Sequence, residues 1–386
     1  MRSWDDALLD GLRAVGDPLA DDVVSAFFAD RQDGADAGDQ GELFTHLVRH
    51  VRLDPEEQDP VVAAYLRHPA PWPPWAEPER IARTAELFGR WGLHVFSALY
   101  AASLPIAYGC HRGVQVLRLT ARLRTDTVRR LNETAQFHLD VLAPGGLDPG
   151  ATGHDHVRHV RLMHAGARWL IEHDPDVVQG EDPSAPLHWD PAWGLPVNQE
   201  DLLETLLTFT EVVFDVFDRT RVRYSASEAD DYLHTWCVVG HLLGIREDLL
   251  PLDRNDTRTL MAAVHRRQIG PSVAGKEMSD ALLAVARDPM PKLLKGMPAS
   301  TVRFYVGDDL ADMLDVPASD WTRHLLSVSS RFGRVLSGAP GWLVPESAAS
   351  RFGRWMLEAM VDAERGSQRA AFQIPDHLDD LWRVTR

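Results

Sequence analysis

The 386-residue chain is poor in cysteine, in lysine and in long apolar runs. Its two cysteines, Cys110 and Cys237, lie far apart and belong to no Cys-x-x-Cys motif, so we expect two buried free thiols rather than a disulfide framework or a zinc site. No run approaches the roughly 20 apolar residues that a membrane-spanning helix needs. The N-terminus also lacks the basic and then apolar pattern of a secretory signal. We therefore expect a cytoplasmic protein without a transmembrane segment.

The chain also has fewer basic than acidic side chains. The chain has 57 acidic and 40 basic side chains, which gives a formal net charge of -17 at pH 7. Such a surface repels phosphates, so a nucleic-acid-binding protein that works through bulk charge is excluded. The apolar fraction of 45% and the charged fraction of 25% are typical of a globular protein with a substantial core, which excludes disorder of the whole chain.

Strand signals are scarce, whereas apolar residues recur at spacings of three and four, for example in 202–217 and 232–245. Neither an internal repeat nor a flexible polar linker divides the chain. Residues rich in glycine, proline and acidic side chains instead separate the predicted helices at 29–42, 68–78, 143–155 and 174–198. These patterns predict an all-α fold.

The absence of a linker favours a single large helical domain over residues 1–386. We expect its core at about 85–330. The segments 1–84 and 331–386 are then helical extensions packed on that core.

A predicted helix at about 155–171 carries a candidate metal ligand, His164. His164 lies at the edge of an apolar face. A histidine in this position is either a hydrogen-bonded core residue or an axial ligand of iron, because a dry pocket keeps imidazole neutral. The apolar face is formed by Val160, Met163, Ala167 and Ile171.

A second predicted helix, at about 114–141, places Arg130, Glu133 and Thr134 on one stripe. Arg130 and Glu133 form either a solvated ion pair or, with Thr134, a polar cluster that faces a cavity. In the second case a carboxyl with a raised pKa would exchange protons, and the hydroxyl would hold oxygen or water.

Two further segments have both a structural and a functional interpretation. Asn198 or Gln199 is expected to cap a helix that begins near Asp201. His234 and His241 share one face of the helix at 232–245, where they either pack or bind a ligand. Phosphate-binding loops, nucleophile elbows and EF-hand loops are not found in the sequence.

These segments together resemble the latex clearing protein (rubber oxygenase) family and its relatives, which include the fungal oxygenase of mycophenolic acid biosynthesis. The most specific segment is 189–210, WDPAWGLPVNQEDLLETLLTFT. The second is Arg130-Leu-Asn-Glu-Thr134 followed by His164, and the third is 236–251. The resemblance covers about residues 85–300.

The resemblance implies an all-α fold around a globin-like core that binds one haem b (iron protoporphyrin IX). It implies that His164 is the proximal iron ligand and that Arg130 and Thr134 lie on the distal side. Arg168 occupies a position suited to a haem propionate. The activity implied is that of an oxygenase that uses dioxygen to cleave a carbon–carbon double bond.

Two positions depart from the family pattern. Glu133 stands where the rubber enzymes have a lysine, and Val114 where they have a glutamate. Glu133 would leave the sixth iron site open, bind weakly as an anion, or take over the acid–base role. Because no export signal is found, we expect an apolar unsaturated small molecule (isoprenoid, polyene or natural-product intermediate) as the substrate rather than solid rubber.

Two other functions stay open at this point. One is a haem enzyme of non-oxygenase type that catalyses a rearrangement or acid–base chemistry in natural-product biosynthesis. The other is a non-catalytic haem- or lipid-binding protein. Whichever of the three functions applies, we expect the protein to be a monomer.

Overall fold

The described part of the chain in the computed structural model is mainly α-helical, which confirms the predicted all-α class. Those residues are 3–32, 47, 58–68, 70–122, 127–173, 178–179, 188–251, 253–288, 291–319 and 321. The predicted extension at 331–386, and residues 33–42 of the predicted loop at 29–42, lie outside them. The division into a core and two extensions stays a prediction.

Fifteen α-helices lie in the described ranges. The first eight are α1 (Asp6–Arg13), α2 (Pro18–Gln32), α3 (Pro60–Arg67), α4 (Pro78–Ala98), α5 (Leu104–Gly109), α6 (Gly113–Arg122), α7 (Thr127–Val141) and α8 (Thr152–His173). The others are α9 (Gln199–Phe209), α10 (Glu211–Thr220), α11 (Ala226–Leu242), α12 (Arg254–Gln268), α13 (Val273–Arg287), α14 (Met297–Val306) and α15 (Asp308–Met313). The strands β1 (Val178–Gln179) and β2 (His188–Trp189) form a short parallel pair.

Side-chain caps fix several helix starts. The carboxylate of Asp5 accepts the backbone N–H of Leu8 at 2.9 Å, and the amide oxygen of Asn198 accepts that of Asp201 at 3.0 Å. Each cap satisfies one of the N–H groups that the first turn of a helix leaves unpaired. The structure thus confirms Asn198 as the cap of α9.

Two sequence-based helix boundaries are wrong. The helix predicted at 114–141 corresponds to α6 and α7, and residues 123–126 between them lie outside the described ranges. Helix α8 begins at Thr152, three residues before the expected start, and α2 continues to Gln32 into the predicted loop. Helix ends depend on turn and cap geometry, which apolar spacing does not report.

The largest buried cluster lies among α4, α9, α10 and α11 and is rich in aromatic rings. Its members include Phe88, Phe214, Phe217, Tyr232 and Trp236. Polar contacts align two of these helices, since Thr235 Oγ1 donates to Thr84 Oγ1 at 2.8 Å inside the interface. A smaller cluster joins α2 and α3 to one face of α8 through Phe27, Phe28, Leu162 and Trp169.

Helix α4 continues into a π-helical turn, Leu99–Ser103, before α5. Pro105 follows at once, and a proline cannot donate an N–H to the carbonyl four residues earlier. The widened turn therefore lies where a regular α-helical hydrogen bond cannot form. No helix in the described ranges is long and apolar enough to cross a membrane.

Candidate functional site

Helices α7 and α8, which carry the predicted site residues, form an antiparallel hairpin. A Cβ atom at Gly153 would collide with the backbone oxygen of Asp140, so only glycine lets the start of α8 contact the end of α7. His156 Nδ1 lies 3.0 Å from Asp140 Oδ2, close to the same point. Asp140 and Gly153 therefore lie at the same level along the two helix axes.

That level determines which residues oppose each other further along the hairpin. With a rise of about 1.5 Å per residue, His164 on α8 lies level with residue 129 of α7. Arg130 is then about 1.5 Å, Glu133 about 6 Å and Thr134 about 7.5 Å from His164 along the axis. The hairpin thus brings the four predicted residues within about one and a half turns of one another.

His164 combines partial exposure with an unpaired buried nitrogen. Its side chain is half-buried, while its Nδ1 atom is buried and has no hydrogen-bond partner among the residues that the structure describes. Desolvation lowers the pKa of His164 to about 4, and the nearby Arg168 guanidinium acts in the same direction. The ring is therefore neutral at pH 7, which is the form that binds a metal.

The neighbours of His164 on α8 show which way this face points. Leu162 and Trp169 pack against α2, whereas Ile171 packs against Val116 and Trp189 on the other side of the helix. His164 and Ile171 are seven residues apart, so they lie on the same face of α8. That face is turned towards α6 and the β2 segment, and Arg168, one turn after His164, reaches Asp21 at the start of α2.

Glu133 and Thr134 lie in the middle of α7. Glu133 is buried, with 7% of its surface exposed, and Thr134 is half-buried. The side chain of Arg130, in the first turn of α7, lies outside the described part of the structure. The roles predicted for these three residues stay predictions.

Arg168 already makes a dense set of contacts. It is buried, its Nε donates to Asp21 Oδ1 at 2.9 Å, and its Nη1 donates to the backbone oxygens of Pro196 and Val197. This guanidinium therefore joins α8 to α2 and to the loop before α9. Its predicted contact with a propionate stays a prediction.

His138 is a second candidate ligand, which the sequence analysis missed. Its Nδ1 lies 2.8 Å from the backbone oxygen of Thr134, and because a carbonyl can only accept, Nδ1 carries the proton. Its Nε2 is buried and unpaired within the described ranges, and burial lowers the pKa of His138 to about 4. An imidazole held by a backbone carbonyl in this way is typical of metal ligands. The i, i+4 spacing of Thr134 and His138 is the signal that could have found it.

The surroundings of His138 nevertheless exclude a large planar cofactor. The residue has no exposed surface, and the rings of Phe209 and Trp236 lie 4.7 Å and 5.1 Å from its centroid. Phe96 and Phe137 also contact it edge-on. Of the two histidines, His164 therefore offers the more accessible nitrogen ligand.

The position that matches the family's glutamate is apolar here. Val114 is fully buried beside Tyr108 and Val302, and its backbone N–H donates to Cys110 O at 3.0 Å. A carboxylate from this position is therefore absent.

The segment 189–210, which carries the strongest resemblance, has a structural role. Gln199 Nε2 donates to the backbone oxygens of Gly16 and Gly244 at 2.8 Å and 3.0 Å. Gln199 Oε1 accepts the N–H of Arg246 at 3.0 Å. These bonds join the α1–α2 turn, the start of α9 and the end of α11. The segment 189–210 therefore holds these three parts of the chain together behind α8.

Comparison with known proteins agrees with this architecture. A family profile described as "ER-bound oxygenase mpaB/B'/Rubber oxygenase, catalytic domain" matches residues 87–338. The rubber oxygenase of Streptomyces sp. (strain K30) is 21% identical over 271 residues, which are 69% of this chain and 63% of that protein. The chain thus aligns with less than two thirds of that relative's length.

A solved structure of latex clearing protein LCP in the closed state has the same fold. It superposes with a TM-score of 0.67 at 19% sequence identity and covers 89% of this chain and 91% of that chain. The family match spans α7, α8 and the motif before α9, which together hold every predicted site residue. The chain therefore belongs to the family of the mpaB/B' and rubber oxygenase catalytic domain.

Proposed function

We propose that the protein is a cytoplasmic haem b-dependent oxygenase that acts with dioxygen on an apolar, unsaturated small molecule. The family supports an oxygenase, and the rubber oxygenase relative supports an isoprenoid-like substrate. The single observation that carries the cofactor assignment is the neutral His164 ring, with a buried and unpaired nitrogen, on the face of α8 turned towards α6 and the β2 segment.

The residues present fit a haem group. His164 supplies a neutral nitrogen ligand, Arg168 is the cation proposed to hold a propionate, and Arg130 is proposed to lie next to the haem on the distal side. Bound haem would supply an iron centre for reaction with dioxygen and the carbon–carbon double bond of the substrate.

The polar residues of α7 have separate proposed roles. Thr134 donates a hydrogen bond to negative charge that develops during the reaction, and Arg130 stabilises the same charge. Fixed donors of this kind in a dry site contribute about 3 kcal/mol each. Glu133, buried on the same helix, moves a proton to or from the reacting group, which typically contributes about 10²-fold or more in rate.

The position of Thr134 is itself fixed. Its backbone oxygen accepts a hydrogen bond from the His138 ring, and the aromatic cluster around His138 holds that ring in place. The α7 turn that carries Glu133 and Thr134 is therefore tied to the core of the protein.

The cofactor assignment is tested by purifying the full chain with added hemin and recording its Soret band. His164→Ala should lose or shift the band. His173→Ala is the matched control, because His173 lies on the same helix, is exposed, bonds the backbone oxygen of Trp169 and stacks on the Trp169 ring. Identical bands for wild type and His164→Ala would show that His164 is not the ligand.

The activity is tested with an isoprenoid polyene such as squalene in an oxygen electrode. We expect substrate-dependent consumption of dioxygen and carbonyl products from double-bond cleavage. Glu133→Gln should keep the Soret band and lose about 10²-fold in turnover. Turnover that continues without dioxygen would instead indicate the non-oxygenase alternative, and a haem protein that consumes no substrate would indicate a carrier.

A further inference from the structure

A buried group of charged and polar side chains lies where α1, the α5–α6 turn, α9 and α12 meet, and none of them has a role in the proposed reaction. Glu200 is at its centre, and its Oε2 accepts from Arg13 Nη1 at 3.1 Å and from Gln268 Nε2 at 2.7 Å. The His111 N–H donates to the Gln268 backbone oxygen at 2.8 Å, so the α5–α6 turn is joined to the end of α12.

Four polar atoms around Glu200 are buried and lack a hydrogen-bond partner within the described part of the chain. They are Arg13 Nη2, Arg112 Nε, Glu204 Oε1 and Gln268 Oε1. We call the region around Glu200 that holds these four side chains the polar chamber. Three of them are almost fully buried, with exposed fractions of 3% for Arg13, 6% for Glu204 and 1% for Gln268. Native proteins leave few such atoms unpaired, so four around one carboxylate point to a ligand.

The chemistry of the four atoms identifies that ligand as water. Two of them, on Arg13 and Arg112, can only donate a hydrogen bond, whereas Gln268 Oε1 can only accept one. An anion would require donors alone, and a cation would require acceptors alone. A water molecule donates and accepts, and buried waters typically bind about three otherwise unpaired polar groups.

Glu204 is the group in the chamber that can change its protonation near neutral pH. Burial raises the pKa of Glu204 to about 8, the hydrogen bond from the Cys110 thiol opposes this, and the carboxylates of Asp201 and Glu200 add to it. The Glu204 carboxyl is therefore mostly protonated at pH 7, and the proton can reach solvent only through a hydrogen-bonding partner.

We propose that the polar chamber is an internal water site and that Glu204 exchanges its proton with solvent through the water held there. The O–H bond of the carboxyl breaks as water takes the proton, and a proton returns from water in the reverse step, with no change of oxidation state. Arg112 is half-buried and marks the outer end of the chamber. The site needs no haem and stands apart from the proposed reaction.

The charges that face Glu204 agree with this assignment. Arg13 is already paired with Glu200 at 3.1 Å and with Asp201 at 3.0 Å, and Arg267 is paired with Glu200 at 3.1 Å. These two guanidinium groups are therefore paired with other carboxylates, and no arginine lowers the pKa of Glu204. The groups that act on Glu204 are Glu200 and Asp201 on α9 and the Cys110 thiol in the α5–α6 turn, while Arg13, His111, Arg112 and Arg267 belong to the wider charged group around Glu200.

The test is a pH titration of the full chain by infrared difference spectroscopy, in H₂O and in D₂O. We expect the carbonyl band of a protonated carboxyl to disappear with a midpoint of about 8 and to shift on transfer to D₂O without unfolding. Glu204→Gln should abolish the band. Asp215→Asn, which alters another carboxyl with a raised pKa on α10, should leave it unchanged.

A titrating band that survives in Glu204→Gln would overturn the assignment to Glu204, and a band that does not shift in D₂O would overturn the water route. A crystal structure of the wild-type protein gives a test that needs no variant. It should show ordered water within hydrogen-bond distance of Glu204 Oε1 and Gln268 Oε1, and a dry chamber would overturn the proposal.

Discussion

The imidazole of His138 donates from Nδ1 to the backbone oxygen of Thr134 at 2.8 Å, while its Nε2 faces an aromatic cluster without a partner in the described ranges. One side of the ring thus supports the helix that carries the predicted distal residues. The other side leaves a polar atom unpaired in the core. The ring therefore stabilises the protein chiefly because its shape fills the space among the aromatic rings. Its unpaired Nε2 lowers the free energy of unfolding.

The first prediction concerns the shape of this side chain. His138→Phe keeps a planar ring and removes the unpaired nitrogen, so we expect the free energy of unfolding to change by less than about 1 kcal/mol or to rise. His138→Ala leaves a cavity among four rings and should cost about 3 kcal/mol. Urea denaturation of both variants measures the difference. A larger loss for phenylalanine than for alanine would contradict this account.

The second prediction concerns the stability of the protein above neutral pH. The pKa of Glu204 is about 8 in the folded protein and 4.5 in an ordinary environment, so between these values the folded state holds a proton that the unfolded state has lost. This contribution to stability is fully present below pH 4.5 and is lost as the pH rises towards about 8.

The Glu204→Gln variant should therefore show a flatter decline in unfolding free energy between pH 6.5 and 8, by up to about 1.4 kcal/mol per pH unit for one proton. Urea denaturation across this pH range is the measurement. Asp215→Asn serves again as the control carboxyl. Parallel pH profiles for wild type and Glu204→Gln would mean that Glu204 titrates normally.

The third prediction concerns the acid side, where buried histidines act in the opposite direction. Burial lowers the pKa of His138 and of His265 to about 4, below the ordinary 6.5. The unfolded state therefore takes up protons first, and stability that is present above pH 6.5 is lost as the pH falls towards about 4. His138→Phe should reduce this loss of unfolding free energy by the contribution of one proton. Urea denaturation at a series of acidic pH values measures the change.

The fourth prediction separates the structural role of Arg168 from its proposed role at a propionate. Arg168→Ala leaves the carbonyls of Pro196 and Val197 without their donor and Asp21 without its partner, so it should cost about 3 kcal/mol in the haem-free protein. Arg219→Ala, at an exposed position on α10, is the control. Loss of haem with unchanged stability of the haem-free protein would assign Arg168 to the cofactor alone.

The fifth prediction tests the close contact of the α7–α8 hairpin. Gly153→Ala places a Cβ against the backbone oxygen of Asp140, which has little freedom to move, so it should cost about 2 kcal/mol or more. Gly11→Ala on α1 is the matched control, since no heavy atom lies within 4 Å of its Cβ position. The control should be neutral or slightly stabilising, because alanine favours helix. Equal effects of the two substitutions on the urea midpoint would show that α7 and α8 can move apart at Gly153 without loss of stability.

Features that depend on neighbouring residues could be predicted from the amino-acid sequence alone. The all-α class follows from apolar spacing, and the cap at Asn198 follows from a side chain that reaches a backbone group three residues on. The place of His164 on an apolar face is likewise a matter of helical periodicity, and the family was recognisable from short segments. Each of these features depends on residues that are close together in the sequence, so it can be predicted without the fold.

Partners that are distant along the chain could be identified only from the folded protein. Glu200 is a buried acceptor because Arg13 and Gln268 reach it from either side, 187 and 68 residues away, and no local pattern predicts that meeting. The aromatic cluster around His138 and the raised pKa of Glu204 have the same origin. Burial and unpaired polar atoms are properties of how elements pack, because desolvation depends on every surrounding helix rather than on the residue's own segment.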